Sequence, residues 1–119
     1  MRIVVAAERV VGAVFRIAAP GEWRTNIALG GVRRPVDDLP RDACALAVEA
    51  ARASGAALAG VDLLPNKRDG WTVLEVNGAV EFTREYEASG DVFADVALEL
   101  AQCASSRQEV VATLPLAAL

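Results

Sequence analysis

The chain contains no histidine. That absence excludes Ser-His-Asp and Cys-His catalysis, the HExxH zinc proteases and every His-ligated metal site. Cysteine is almost as scarce. Cys44 and Cys103 are the only two, and no CxxC pair exists to hold a structural zinc or run thioredoxin-like exchange. Both lie in alanine-rich, helix-like stretches. They read as buried free thiols in a reducing cytoplasm, with a single disulfide as the alternative. Aromatic residues make up only 5% of the chain, so large core anchors are few. No apolar run approaches the ~20 residues that a membrane-spanning helix needs. The opening Met1-Arg2-Ile3-Val4-Val5-Ala6 has neither the apolar core nor the cleavage site of a signal peptide. Basic residues number 12 against 16 acidic ones, a net charge of −4. A mildly acidic chain is a poor candidate for unaided nucleic-acid binding, which needs a basic face.

What is present suits one modest domain. The 119 residues are 54% hydrophobic, much of it alanine, which predicts a core of closely packed small side chains. Residues 2–18 read as a β-hairpin, because two β-branched runs flank the polar break Ala7-Glu8-Arg9. Residues 19–36 read as one long loop that carries Pro20-Gly21, Trp23-Arg24-Thr25-Asn26, Gly30-Gly31 and Arg33-Arg34. A helix follows, with Asp42 as its N-cap, an apolar face through Leu46, Ala47, Ala50 and Ala51, and Gly55 as its stop. A second hairpin pairs residues 57–64 with Trp71–Asn77, and a last helix spans about Asp91 to Ala104. The predicted class is α+β: an antiparallel sheet of two β-hairpins with two packed helices. Residues 1–104 form the domain, and 105–119 a loosely packed tail in which Pro115 opposes a long helix.

Two groups of residues could carry chemistry. In the second hairpin, setting Asp62 opposite Glu75 also pairs Val61 with Val76 and Leu63 with Leu74. Strand alternation then puts Asp62, Glu75 and Asn77 on one face and the four apolar residues on the other. Two carboxylates and an amide suit a hard cation such as magnesium, which takes oxygen ligands. A solvated hairpin face is the competing interpretation. The second group is Arg24, Thr25 and Asn26 in the glycine-bearing loop, with Arg16 on the preceding strand. Arginine forks and close backbone approach suit phosphate or carboxylate, while ordinary surface arginines are the alternative. Trp23 and Trp71 read as packing residues, and Arg33-Arg34 as a solvated pair that could instead meet an anionic partner.

Taken together, Arg24-Thr25-Asn26, Gly30-Gly31, Gly60-Val61-Asp62-Leu63-Leu64 and Leu74-Glu75-Val76-Asn77 resemble, in order and spacing, the C-terminal part of the ATP-grasp superfamily. The resemblance is to the RimK-like carboxylate–amine ligases, and covers about residues 2–104. Val10-Val11-Gly12-Ala13, Gly21-Glu22-Trp23 and Glu81-Phe82 are similar to the LysX-like branch. The resemblance implies ATP-dependent ligation, in which a carboxylate is phosphorylated and an amine displaces the phosphate. It implies ATP and Mg2+ as cofactors, with Mn2+ as a substitute. Asp62, Glu75 and Asn77 match metal ligands; Arg24, Thr25 and Asn26 match nucleotide-phosphate contacts; Arg16 and Arg24 match residues acting in catalysis, Arg16 near the acceptor carboxylate.

The family holds ATP between two lobes, and the lobe with phosphate-binding lysines has no counterpart here. The acidic residue that usually precedes the Ile-Arg opening is missing too. Gly78 stands where several relatives carry a polar residue, so substrate choice does not transfer. The expected partners are therefore the missing N-terminal lobe or a partner subunit, and an amino-acid or peptide carboxylate acceptor; alone, the chain would bind nucleotide weakly and catalyse little or nothing. A rival expectation is a non-catalytic binding module. A sheet beginning at Ile3 would expose an unpaired edge, and such edges favour homo-oligomers.

Overall fold

The structure is a computed structural model that describes residues 1–25, 27–87 and 90–113; nothing is said of the side chains of residue 27 and residues 109–113. Its strands β1 (Arg2–Ala6), β2 (Arg9–Ile17), β3 (Val32–Pro35), β4 (Leu58–Pro65) and β5 (Trp71–Asn77) form one sheet in the order β3-β2-β1-β4-β5. Each neighbouring pair is antiparallel. The two anticipated hairpins are thus joined through β1 and β4, and a strand appears inside the stretch read as loop.

β1 lies at the centre, paired on both sides, and Ile3 is fully buried. The edge argument for self-association therefore fails, because the outer strands are β3 and β5.

Alternation along β1 sends Ile3 and Val5 to one face and Val4 and Ala6 to the other. The first face is covered by helix α1 (Arg41–Ser54). Ala43, Ala47 and Ala51 recur at helical spacing, and all three are buried against Ala59, Val61 and Leu63 of β4. Small side chains let this helix lie close to the sheet, which explains how an alanine-rich sequence builds a core. α1 begins one residue earlier than the expected cap. Pro40 occupies the N-cap without a side-chain bond, and Asp42 sits in the first turn, where its charge complements the helix dipole. Gly55 closes the helix in the left-handed region (φ 72°) and donates its N–H to the Arg52 carbonyl, as its sequence position predicts.

The opposite face is covered by a short 3-10 turn, Arg84–Tyr86, and by helix α2 (Val92–Thr113). Tyr86, Val92 and Val96 bury Val4, Ala6 and Val14. Asp91 caps α2 by accepting hydrogen bonds from the backbone N–H groups of Phe93 and Ala94 at 2.9 and 3.3 Å. The helix runs well past Ala104, through residues expected to form a tail; residues 114–119 lie outside the described part. Cys44 and Cys103 are free and half-buried, and burial pushes the Cys44 thiol pKa up, keeping it protonated. No helix among the described residues is long and apolar enough to cross a membrane.

Candidate functional site

The sheet face under α2 changes character towards one end. Val4 and Ala6 lie in the apolar part, whereas Arg2, Arg16, Arg33, Asp62 and Glu75 are strand residues of the polar part. Asp62 faces Glu75 across β4 and β5, as the sequence predicts, and Val61 faces Val76. Leu63, however, faces Val73 rather than Leu74. A bulge inserts one extra residue into β5 at this point, and Leu74 is 60% exposed. Asn77 lies opposite Gly60, two positions along the same face. Gly60 is needed for space here: a Cβ would come within 2.6 Å of Val80, whose segment crosses β4 on its way to α2.

Asp62 is already engaged. Arg2 lies directly opposite it on β1 and grips the carboxylate with a two-pronged fork, Nε donating to Oδ1 at 2.8 Å and Nη2 to Oδ2 at 2.6 Å. Arg16 donates more loosely to Oδ2 at 3.5 Å. The Arg2 and Asp62 side chains are only 11% and 17% exposed. The hydrogen bond to Asp62 raises the Arg2 pKa further above its already high ordinary value. The Asn77 side-chain oxygen accepts the Ala79 backbone N–H at 2.9 Å.

Among the described residues no group of three His, Cys, Asp or Glu side chains gathers. The anticipated set, two carboxylates and an amide, does gather on one face. It fits a hard cation in kind, and the Asp62 oxygens are already directed at a positive charge. Arg2 is the residue that sequence reasoning missed. Its position opposite Asp62 depends on the β1–β4 pairing, which no local pattern reveals.

The arginine loop is placed differently. It leaves the sheet at the paired residues Ile17 and Val32, the same end as Arg16 and Arg33. Glu22 organises it by accepting from the backbone N–H groups of Trp23 and Arg24 at 2.9 and 3.0 Å, and from Arg24 Nε and Nη2 at 3.0 and 2.8 Å. These Arg24 bonds hold the half-buried Glu22 carboxyl down at about 2, against an ordinary 4.5. Thr25 is exposed, and Asn26 lies outside the described residues. Trp23 does not pack: it is 84% exposed, with the Arg24 guanidinium carbon 5.8 Å from its ring centroid. Trp71 does pack, against the α1 cluster. Arg33 is not solvated either. It lies directly opposite Arg16 on the Asp62 face, whereas Arg34 pairs with Phe15 and is exposed. The structure therefore brings Arg16 to Asp62 and leaves Arg24 bound to its own loop.

Comparison with known proteins adds three findings. The chain is 48% identical over 79 residues to a protein named probable alpha-L-glutamate ligase from Xanthomonas oryzae pv. oryzae (strain MAFF 311018), covering 65% of this chain and 25% of that one. It is 37% identical over 108 residues to a protein of the same name from Aeromonas salmonicida (strain A449), covering 91% of this chain and 36% of that one. The chain thus spans about a quarter to a third of the length of these relatives. Among solved structures, the ATP-grasp ligase PsnB complexed with minimal precursor, Mg and ADP superposes with a TM-score of 0.60 at 16% identity, over 85% of this chain and 30% of that one, which establishes likeness of fold. The sequence model of the RimK-like ATP-grasp domain matches residues 1–103, and the chain belongs to that family.

Proposed function

We propose that the chain is the metal- and ATP-phosphate-binding half of an ATP-dependent carboxylate–amine ligase. The observation that carries this reading is the placement of Asp62, Glu75 and Asn77 on one sheet face, beside Arg2 and Arg16, in a chain of the RimK-like ATP-grasp family. Asp62, Glu75 and Asn77 would hold Mg2+, which when bound neutralises phosphate charge. An Asp62 oxygen given to the ion would come out of the Arg2 fork, and Arg2 would then be free to meet an anion such as a phosphate oxygen. Arg24 and Thr25 contact phosphate after Arg24 parts from Glu22. In the reaction a substrate carboxylate oxygen attacks the γ-phosphorus, ADP leaves, and an amine then displaces phosphate from the acyl phosphate. Positioning and charge neutralisation supply the catalysis, and no histidine base is called for.

Supplying the other lobe in trans tests the reading. The N-terminal two-thirds of the Aeromonas salmonicida relative, mixed with this chain, Mg2+, ATP, glutamate and an amine acceptor, should release ADP. Glu75→Ala should abolish that release and Leu74→Ala should spare it. No ADP release from the mixture, or release unaffected by Glu75→Ala, would refute the assignment.

A further inference from the structure

We propose that Arg16 and Arg33, facing one another across β2 and β3, form a guanidinium pair that receives a substrate carboxylate, making Arg33 a specificity-determining residue for an acidic amino-acid or peptide substrate. The proposal rests on the ligase reading above and adds a residue that the family resemblance leaves unassigned. Like charges placed directly opposite in a sheet are destabilising, yet these two side chains are only 19% and 15% exposed.

Their own chain satisfies them poorly. Charge-assisted bonds of this kind run to about 2.7–2.9 Å. Arg16 reaches Asp62 only at 3.5 Å, through a carboxylate that Arg2 already grips. Arg33 Nη1 reaches Glu85 only at 3.4 Å, and the same Glu85 oxygen accepts the Thr83 hydroxyl at 2.9 Å. Arg33 Nε is buried and has no hydrogen-bond partner among the described residues. Buried charged groups without good partners are costly, and a carboxylate bridging the two forks would satisfy both. Should Asp62 turn to a cation, Arg16 would lose the one carboxylate within 4 Å of it among the described residues.

Arg33 on β3 and Glu75 on β5 stand four strands apart, about 19 Å at ~4.8 Å per strand. Arg16 touches Asp62 and the Arg24 loop leaves the sheet at the same end, so Arg33 is the member of the pair set apart from the proposed metal ligands. A phosphate oxygen shares the chemistry of a carboxylate, so the experiment separates the two sources.

The 15N-labelled 119-residue chain is titrated separately with glutarate, inorganic phosphate and Mg2+–ADP while its arginine Nε–Hε and backbone amide signals are followed. Glutarate should move the Arg16 and Arg33 Nε–Hε signals saturably. Arg33→Gln should weaken glutarate binding roughly tenfold or more, and Arg33→Lys less, because lysine keeps the charge but not the fork. Backbone spectra matching the parent protein establish that both variants are folded. Glutarate binding equally well to parent and Arg33→Gln, an unmoved Arg33 signal, or phosphate binding there more tightly than glutarate would overturn the proposal. Mg2+–ADP reports separately on the ligase reading, through the Asp62, Glu75 and Asn77 amides. A response there with none to glutarate sinks only the arginine pair; the reverse sinks only the nucleotide assignment.

Discussion

Removing the Asp62 carboxylate should destabilise the fold in the absence of any metal. Arg2 gives Asp62 two hydrogen bonds, at 2.8 and 2.6 Å, and Arg16 adds a long third. Truncating one partner of a charged hydrogen bond costs about 1.5–3 kcal/mol. Both side chains keep some solvent access, which places the two-bond loss near 3 kcal/mol rather than at its maximum. Asp62→Ala strands two guanidiniums, so it should cost ~3 kcal/mol. Arg2→Met leaves Asp62 with Arg16 and should cost ~1.5 kcal/mol. The double variant no longer strands Arg2 and should cost ~2.5 kcal/mol, a coupling of ~2 kcal/mol. At ~2.1 cal/mol/K per residue over 119 residues, ~3 kcal/mol corresponds to a fall in Tm of ~12 °C. Urea unfolding followed by circular dichroism, with an unchanged m-value, measures each corner of the cycle. Costs that add within ~0.5 kcal/mol, or an Asp62→Ala variant as stable as the parent, would show that the fork contributes nothing, and the reasoning would fail.

Two further outcomes follow from the geometry. Leu63→Ala empties a buried position and should cost ~3 kcal/mol, whereas Leu74→Ala should change stability by less than ~0.5 kcal/mol; equal costs in urea unfolding would disprove the bulged register. The Glu22 carboxyl sits at about 2 because Arg24 bonds to it. A depressed carboxyl pKa means the contact is fully present above 4.5 and is lost as pH falls through about 2. The Glu22 side-chain carbon resonance should therefore titrate near 2 and return towards 4.5 in Arg24→Gln; an unmoved midpoint would remove Arg24 as the cause.

The sequence disclosed what is local. The β-branched run Ile3–Val5 marked a strand, the polar turn 66–70 marked a hairpin, and Gly55 marked a helix end. The Asp62–Glu75 pairing emerged because the apolar partners on the opposite face are in step there. What stayed hidden depends on distant partners. β3 is four residues with two arginines and a proline, and it is a strand because β2 pairs with it. Arg2 and Arg33 acquire meaning only once the strand order is known. α2 outruns the end expected at Ala104, which rested on Pro115 and on the polar start of 105–119, where Ser105 and Ser106 stand. Inside the helix their hydroxyls donate to the carbonyls of Ala101 and Gln102, both at 3.0 Å. Trp23 defeated the rule that large aromatics are buried, since its loop turns it outward.

The extra residue at Leu74 reverses the parity of β5. Trp71 and Val73 feed the hydrophobic layer beneath α1, and strict alternation would send residue 75 there as well. Because the strand slips by one, Val76 takes that role and Glu75 and Asn77 emerge beside Asp62. Near the tip Trp71 and Val73 face the oil, and at the base Glu75 and Asn77 share the Asp62 face. Lengthening the tip between Pro65 and Trp71 would leave this handover untouched, but a strand that kept Leu74 without the bulge would turn the Glu75 carboxylate into the oil. Lineages carrying this hairpin should therefore vary at its tip and keep a fixed count from the bulge to Asn77.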